Sequence, residues 1–382
     1  MRDLRITDVR AFPTSFPIPE ANRVALGIGT AIKRDAVIVK VTTSGGLVGW
    51  GEAHHGRAHT AVAKLIETTL KQLILGLEAD NNIDIWNRMY RFQLASHGMG
   101  AGACLAMSGI DMAIWDIKGK ALDLPLYKLL GGTRKAIPAY AGGVSLGYQK
   151  PELLLQEAEK SLAQGYKAIK LRVGDTVQKD IERMRAVRKT YGDKLTILTD
   201  ANIGYELAEV RQVMPAMDEL GIGWLEEPFP AHDYRSYREA KGCGRTPLAA
   251  GENHYTRFEF NRVIEDGAIT ILQPDLSKSG GITECLRIAA LGSAWKLPVH
   301  PHSSMTGLNH AASIHFLAAI DNGGYFEGDV SKSNKFRDEL VSNPGAIDKD
   351  GNVWPLDKPG LGLEVDEEFL KKHPAIEGPG YV

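Results

Sequence analysis

Seven residues able to do acid, base or ligand chemistry recur at nearly constant intervals: Arg172, Asp200, Glu226, Glu252, Asp275, His302 and Glu327, in steps of 28, 26, 26, 23, 27 and 25 residues. A single charge at a strand end is most simply a helix cap. A series at the period of a β-α unit is instead what one site looks like when the C-terminal ends of successive parallel strands assemble it. Asp200, Glu226 and Glu252 are consecutive members, so their carboxylates are expected to converge from neighbouring strands. Three like charges meeting there require a cation between them. Oxygen ligation without His or Cys selects a hard ion, Mg2+ first and Mn2+ as the alternative, acting as a Lewis acid with positions open to water or substrate. Lys170 and Arg172 lie two apart on one strand and share its inward face. Asp275 and His302 fall on adjacent strands, where the carboxylate would fix the imidazole tautomer and favour its protonated form, as an acid/base pair requires.

The elements that must position these residues are short apolar runs separated by helix-forming stretches: 138–143, 168–173, 195–200, 223–227, 247–252, 269–275, 297–302 and 323–327. Eight such units predict an α/β fold with a (β/α)8 barrel over residues 131–332. Ahead of it, Leu4–Ser15, Asp35–Thr43 and Leu47–Glu52 alternate as strands, the last two joined by Ser44-Gly45-Gly46. Ala106, Ile110, Ala113, Ile114, Ile117 and Ala121 then recur at helical spacing until Pro125. Residues 1–130 are thus expected to form an α+β capping domain, and residues 333–382, punctuated by Pro and Gly, to pack back on it.

Composition narrows the function classes. Of 382 residues, 45 are Lys or Arg and 47 are Asp or Glu, a net charge of −2 that argues against nucleic acid or an anionic membrane as partner. No apolar run approaches the ~18 residues of a membrane span, and the first residues alternate charge with apolar side chains, so a cytoplasmic protein is expected. Cys104, Cys243 and Cys285 are too scattered for a disulfide framework or a thiolate zinc site and are expected to be structural thiols. Gly27-Ile28-Gly29 lacks the rest of a dinucleotide fingerprint. His55 and His59, four apart, lack the Glu and third ligand of a zinc site.

The motifs also carry a family resemblance. Thr199-Asp200-Ala201-Asn202, Glu226-Glu227-Pro228, Gly251-Glu252-Asn253, Pro274-Asp275 with Lys278-x-Gly280-Gly281, and His302 closely resemble the mandelate racemase branch of the enolase superfamily. Gly49-Trp50-Gly51-Glu52 and Asp111-Met112-Ala113-Ile114-Trp115-Asp116 extend the resemblance into the front domain. It implies abstraction of the proton alpha to a substrate carboxylate, with an enediolate stabilised by Mg2+. It further implies that Glu327 is the carboxylic partner of that oxyanion, that Asn202 meets a substrate hydroxyl, and that the protein is a homo-oligomer. The front domain would close the barrel mouth, its loop of residues 15–30 bringing Arg23, with His54 and His55, to substrate hydroxyls or a distal carboxylate. Asp275 stands where the cycloisomerising branch carries lysine.

One departure bears on the reaction. The racemase pattern is Lys-x-Lys, but this chain reads Lys170-Leu171-Arg172, and arginine stays protonated near neutrality. Racemisation needs a competent base on each face of the alpha carbon. The expected activity is therefore dehydration of an acid sugar, an aldonate or aldarate, to a 2-keto-3-deoxy acid. In that reading His302 delivers the proton that expels the β-hydroxyl, Lys170 or His302 takes the alpha proton, and Arg172 binds the substrate carboxylate. A racemase or epimerase of a hydroxy acid is the alternative; an inactive metal-binding scaffold is a third reading, which the nearly complete set of residues disfavours.

Overall fold

The computed structural model describes residues 3–96, 98–303 and 305–382. The alternating valines at 37, 39 and 41 form the buried middle of the front sheet. Their strand, Lys33–Thr43, pairs antiparallel with Ile6–Pro17 on one side and Val48–Ala53 on the other. Across this sheet runs the 22-residue helix Ala101–Leu122. It packs so closely that a Cβ on Gly49 would lie 2.0 Å from the Ala113 carbonyl oxygen, and one on Gly51 would lie 2.2 Å from that of Gly109. Only glycine allows backbone to approach backbone in this way, so Gly-Trp-Gly-Glu is a packing motif.

The helix is buried along most of its circumference because its other side meets the barrel helix Gly281–Ala294. Asp111 accepts the Thr283 backbone N–H at 2.9 Å, and Trp115 Nε1 donates to Thr283 Oγ1 at 2.8 Å. Asp116 accepts from the backbone N–H of Trp50 at 3.0 Å and of Leu361 at 2.8 Å. The second front-domain motif is thus a hydrogen-bonded seam joining sheet, barrel helix and rear segment.

The barrel strands are parallel and follow chain order: Ile137–Gly142, Ala168–Arg172, Thr196–Asp200, Leu225–Glu226, Leu248–Ala250 and Ile269–Leu272, with Phe326–Asp329 returning to pair with the first. The seventh position is held by isolated parallel bridges, Leu272↔Val299, Asp275↔His302 and Val299↔Gly323. Its run contains Pro298 and Pro301, which have no N–H to give a ladder, so the predicted strand at 297–302 is reduced to contacts that still close the ring. The eighth strand also continues past Glu327 to Asp329, placing Glu327 within the strand rather than at its end. Tyr140, Ala168, Leu198, Trp224, Ala249 and Ile271 fill the barrel interior beneath the site.

The rear segment touches both parts. Asn352–Val353 pairs antiparallel with the first barrel strand. Phe336 packs edge-on against Phe16 at 4.8 Å, Thr14 Oγ1 donates to the His373 carbonyl at 2.6 Å, and Tyr381 bridges Ala31. The result is an α/β barrel capped by an α+β domain. No helix of the described residues is long and apolar enough to cross a membrane.

Candidate active site

A cavity of about 690 Å3 opens where the strand ends face the front domain. Arg172, Asn202, Glu252, Lys278 and His302 line it from the barrel, and His54, His55 and Arg57 from the front domain. The central pair is His302 and Asp275. Their backbones form a parallel bridge, and Nδ1 lies 2.6 Å from Asp275 Oδ2. Asp275 is held in turn: its Oδ1 accepts from Ser277 N at 2.7 Å, Ser277 Oγ at 2.6 Å and Asn309 Nδ2 at 3.1 Å. The carboxylate thus claims the Nδ1 proton and turns Nε2 toward Glu252, whose Oε2 is 3.5 Å away. Burial opposes charge on this ring, but Glu252, Glu327 and the bond to Asp275 outweigh it and raise His302 to about 10.

Lys170 and Arg172 share a face but lie at different depths. Lys170 is 1% exposed and sits below the cavity surface, its ammonium 2.8 Å from Glu226, 3.1 Å from Glu327 and 3.4 Å from Asp200. Burial works against its charge; Glu226 and Glu327 more than compensate and hold it well above the usual lysine range. Arg172 reaches the cavity, pairs with Asp200, donates to the Gly143 carbonyl and donates to Asn202 Oδ1 at 3.1 Å. Asn202 is fixed in a left-handed conformation, φ 43°, with its backbone N–H on Asp200 Oδ1 at 2.8 Å. Glu327 lies behind the cavity surface, accepting from Gly143 N and Ser303 N, each at 3.1 Å. Burial disfavours its charge, but Lys170, His302 and Arg172 pull it down to about 2.

The expected metal ligands stand at adjacent strand ends, with Asp200 in register with Glu226. Their side chains do not converge on one point as the sequence reading anticipated. Among the described residues no group of three His, Cys, Asp or Glu side chains is placed to hold a metal ion. Lys170 pairs with Asp200 at 3.4 Å and Glu226 at 2.8 Å, while Lys278 pairs with Glu252 at 2.7 Å. The donor set nonetheless fits a hard divalent cation, being oxygen only, carried on neighbouring strands and crowded with like charge. Glu226 is pushed up to about 7 by burial, which Lys170 opposes and Asp200 and Glu327 reinforce. Neighbouring Glu227, on the cavity wall, is raised well above its ordinary value by burial and then by Glu252, and its Oε1 has no hydrogen-bond partner among the described residues.

On the front-domain side, His54 and His55 line the cavity, and Arg23 is not among its lining residues. Its Nε donates to the Ile18 carbonyl at 3.4 Å within its own loop. The arginine on this wall is Arg57, which the sequence reading missed. Tyr381 of the rear segment was missed as well. Gly56 beside Arg57 was a usable signal for a turn aiming a cation; nothing local to Tyr381 announces its position. His59, the other half of the discounted zinc pair, is buried against Ser15 Oγ at 3.2 Å.

Comparison with known proteins agrees with this fold. Residues 9–131 match the mandelate racemase/muconate lactonizing enzyme N-terminal domain, and residues 153–369 the enolase C-terminal domain-like family. An arabinonate dehydratase of Saccharolobus solfataricus is 33% identical over 374 residues, covering 96% of this chain and 99% of that protein. A solved enolase superfamily member from Polaromonas sp. JS666 is 54% identical with a TM-score of 0.96, covering 99% of this chain and all of that one. A racemase from Streptomyces coelicolor A3(2), solved with bound magnesium, is 29% identical with a TM-score of 0.87, covering 96% and 99%.

Proposed function

The chain belongs to the mandelate racemase/muconate lactonizing enzyme family of the enolase superfamily, and on that premise we propose that it is a hydro-lyase that converts an acid sugar, an aldonate or aldarate, to a 2-keto-3-deoxy acid. One observation carries the reading: His302, backed by Asp275, reaches the cavity, while the second position of the Lys-x-Lys pattern is held by Arg172 and Lys170 is sealed beneath. Proton chemistry is then available from one side only. That suits elimination and disfavours racemisation, which needs a competent base on both faces.

In this mechanism the neutral form of the His302 imidazole takes the proton alpha to the carboxylate. With the ring raised to about 10, that form is a small fraction near neutral pH, so turnover should rise with pH toward that value. The carboxylates that raise its pKa stabilise the imidazolium so formed and make the imidazole a stronger base. The same Nε2–H then protonates the β-hydroxyl, whose carbon–oxygen bond breaks as the carbon–carbon double bond forms. Water leaves, and the enol tautomerises to the 2-keto acid. Arg172 and Asn202 bind and orient the substrate, with Arg172 placed for its carboxylate. Asp200, Glu226 and Glu252 would hold a magnesium ion, whose bound contribution is Lewis-acid stabilisation of charge on that carboxylate. The similarity to a magnesium-bound racemase supports the choice of ion. Lys170 supplies a fixed positive charge beneath the site.

Incubation with a panel of aldonates and aldarates in Mg2+, with assay for 2-keto-3-deoxy products, tests the reading. Product from at least one acid is expected. Racemisation or epimerisation of a hydroxy acid without any keto product would replace it.

A further inference from the structure

The cavity wall made by residues 54–57 is an array of hydrogen-bond donors fixed by its own backbone. Gly56 N donates to His54 Nδ1 at 3.1 Å, and Arg57 N donates to His55 Nδ1 at 2.9 Å. Both Nδ1 atoms accept, so both rings are Nε2–H tautomers and each has only a donor left to offer. The rings stack with centroids 4.1 Å apart. Burial holds both imidazoles neutral, His55 at about 3. The turn is tied to the barrel where His54 N donates to the Ser277 carbonyl at 3.0 Å, between Asp275 and Lys278 in sequence.

Gly56 and Arg57 adopt successive positive φ angles, 52° and 58°. Arginine has no intrinsic preference for that region, and such strain is retained where a site needs the resulting direction. The direction here is onto Tyr381, whose ring lies 4.8 Å from the guanidinium carbon. Tyr381 is itself fixed by its bridge to Ala31, and Val382 exchanges backbone hydrogen bonds with Thr30 at 2.7 and 3.0 Å. The loop it fastens rests on the barrel, since a Cβ on Gly27 would fall 2.3 Å from the Ala201 carbonyl oxygen. Among the described residues the Arg57 side chain is held by this ring and by no carboxylate.

A hydroxyl on a bound sugar would be satisfied by the two imidazoles. An arginine held over an aromatic ring, with no acidic partner among the described residues, is suited to a planar or tetrahedral anion. We propose that Arg57, with His54 and His55, reads the end of the substrate remote from the reacting carboxylate and selects acid sugars bearing a second anionic group there. This rests on the acid-sugar reading above and narrows it to acids charged at both ends, the distal anion being a carboxylate or a phosphate.

The test compares galactarate, D-galactonate and D-galactonate 6-phosphate, first for binding to the His302→Asn protein in Mg2+ by calorimetry, then for kcat/KM with active enzyme. Either doubly anionic acid is expected to bind at least about tenfold more tightly than D-galactonate, as a charge-assisted pair implies; the tighter of the two identifies the anion. Arg57→Asn, a residue that tolerates positive φ, should lower that preference about 10- to 100-fold. Tyr381→Leu, which removes the ring but keeps an apolar side chain, should lower it less. Equal binding of all three acids, or a preference unchanged in Arg57→Asn, overturns the inference even if dehydration is seen. Preferential, Arg57-dependent binding without any keto product would instead uphold it and overturn the dehydratase reading.

Discussion

His302 and Asp275 are joined at 2.6 Å between Nδ1 and Oδ2 across a pair of strands that meet, at this level of the barrel, through a single bridge between these two residues. The pairing is therefore built into the backbone, and side-chain packing alone does not account for it. His302→Asn should abolish keto-acid formation, with kcat reduced by a factor on the order of 10²–10⁴ typical of losing a general acid/base. Asp275→Asn should retain the fold and substrate binding yet lower kcat over a similar range, because an amide can donate to Nδ1 and select the wrong tautomer. Steady-state kinetics on both variants checks this; full turnover by either would remove the dyad from the mechanism.

Arg172→Lys probes the departure from the racemase pattern. Arg172 spans Asp200, Asn202 and the Gly143 carbonyl through its fork of donors, and an ammonium cannot reproduce that set. Dehydration kcat/KM should fall about 10- to 100-fold. Deuterium exchange of the alpha proton with retention and inversion, followed by NMR, would show whether the introduced lysine opens the second face.

Metal binding should be visible without turnover. Titration with Mg2+ is expected to raise Tm, by mass action worth about 2.7 kcal/mol at a hundredfold excess over Kd, and chelator should reverse the shift. Asp200→Asn, Glu226→Gln or Glu252→Gln should each remove most of it. Lys170→Met should cost about 3–5 kcal/mol, because it leaves Glu226 without its buried counter-charge and removes the cation it shares with Glu327 and Asp200. A Tm indifferent to Mg2+ in the parent protein would contradict the ligand assignment.

Glu52 ties the front sheet to the barrel, its Oε2 accepting from Thr306 Oγ1 at 2.5 Å and Thr306 N at 3.2 Å. Burial pushes this carboxyl up to about 8 from 4.5, against the lowering effect of Thr306. The folded protein therefore binds this proton more tightly than the unfolded chain. The contribution is fully present below about pH 4.5 and is lost as pH rises toward 8. Glu52→Gln should flatten that part of the stability–pH curve, and its stability relative to the parent should improve between pH 5 and 8 by an amount on the order of a few kcal/mol. Denaturant unfolding of both proteins across this window measures it; parallel curves would refute the assignment.

Much of the architecture was legible in the chain because it is periodic. A parallel strand covered on both faces must be a short apolar run, and a site at one end of a barrel must repeat its chemistry at the length of a β-α unit. That logic locates the strands leading to Asp200, Glu226, Glu252 and Asp275, and it puts His302 beside Asp275. It overstated the seventh strand, where Pro298 and Pro301 leave only bridges.

Depth and distant contacts were beyond that logic. Lys170 and Arg172 share a face in sequence, yet two residues along a strand is about 6.6 Å, one layer of the barrel. That layer separates an ammonium sealed among Glu226, Glu327 and Asp200 from a guanidinium on the cavity wall. In the same way Arg23, on the expected loop, turns to its own backbone, while Arg57 and Tyr381, from opposite ends of the chain, meet over the barrel mouth. Local pattern determines which elements form and which residues their ends carry. Which cation faces the substrate depends on burial and on contacts between segments remote in sequence, so the tertiary structure alone decides it.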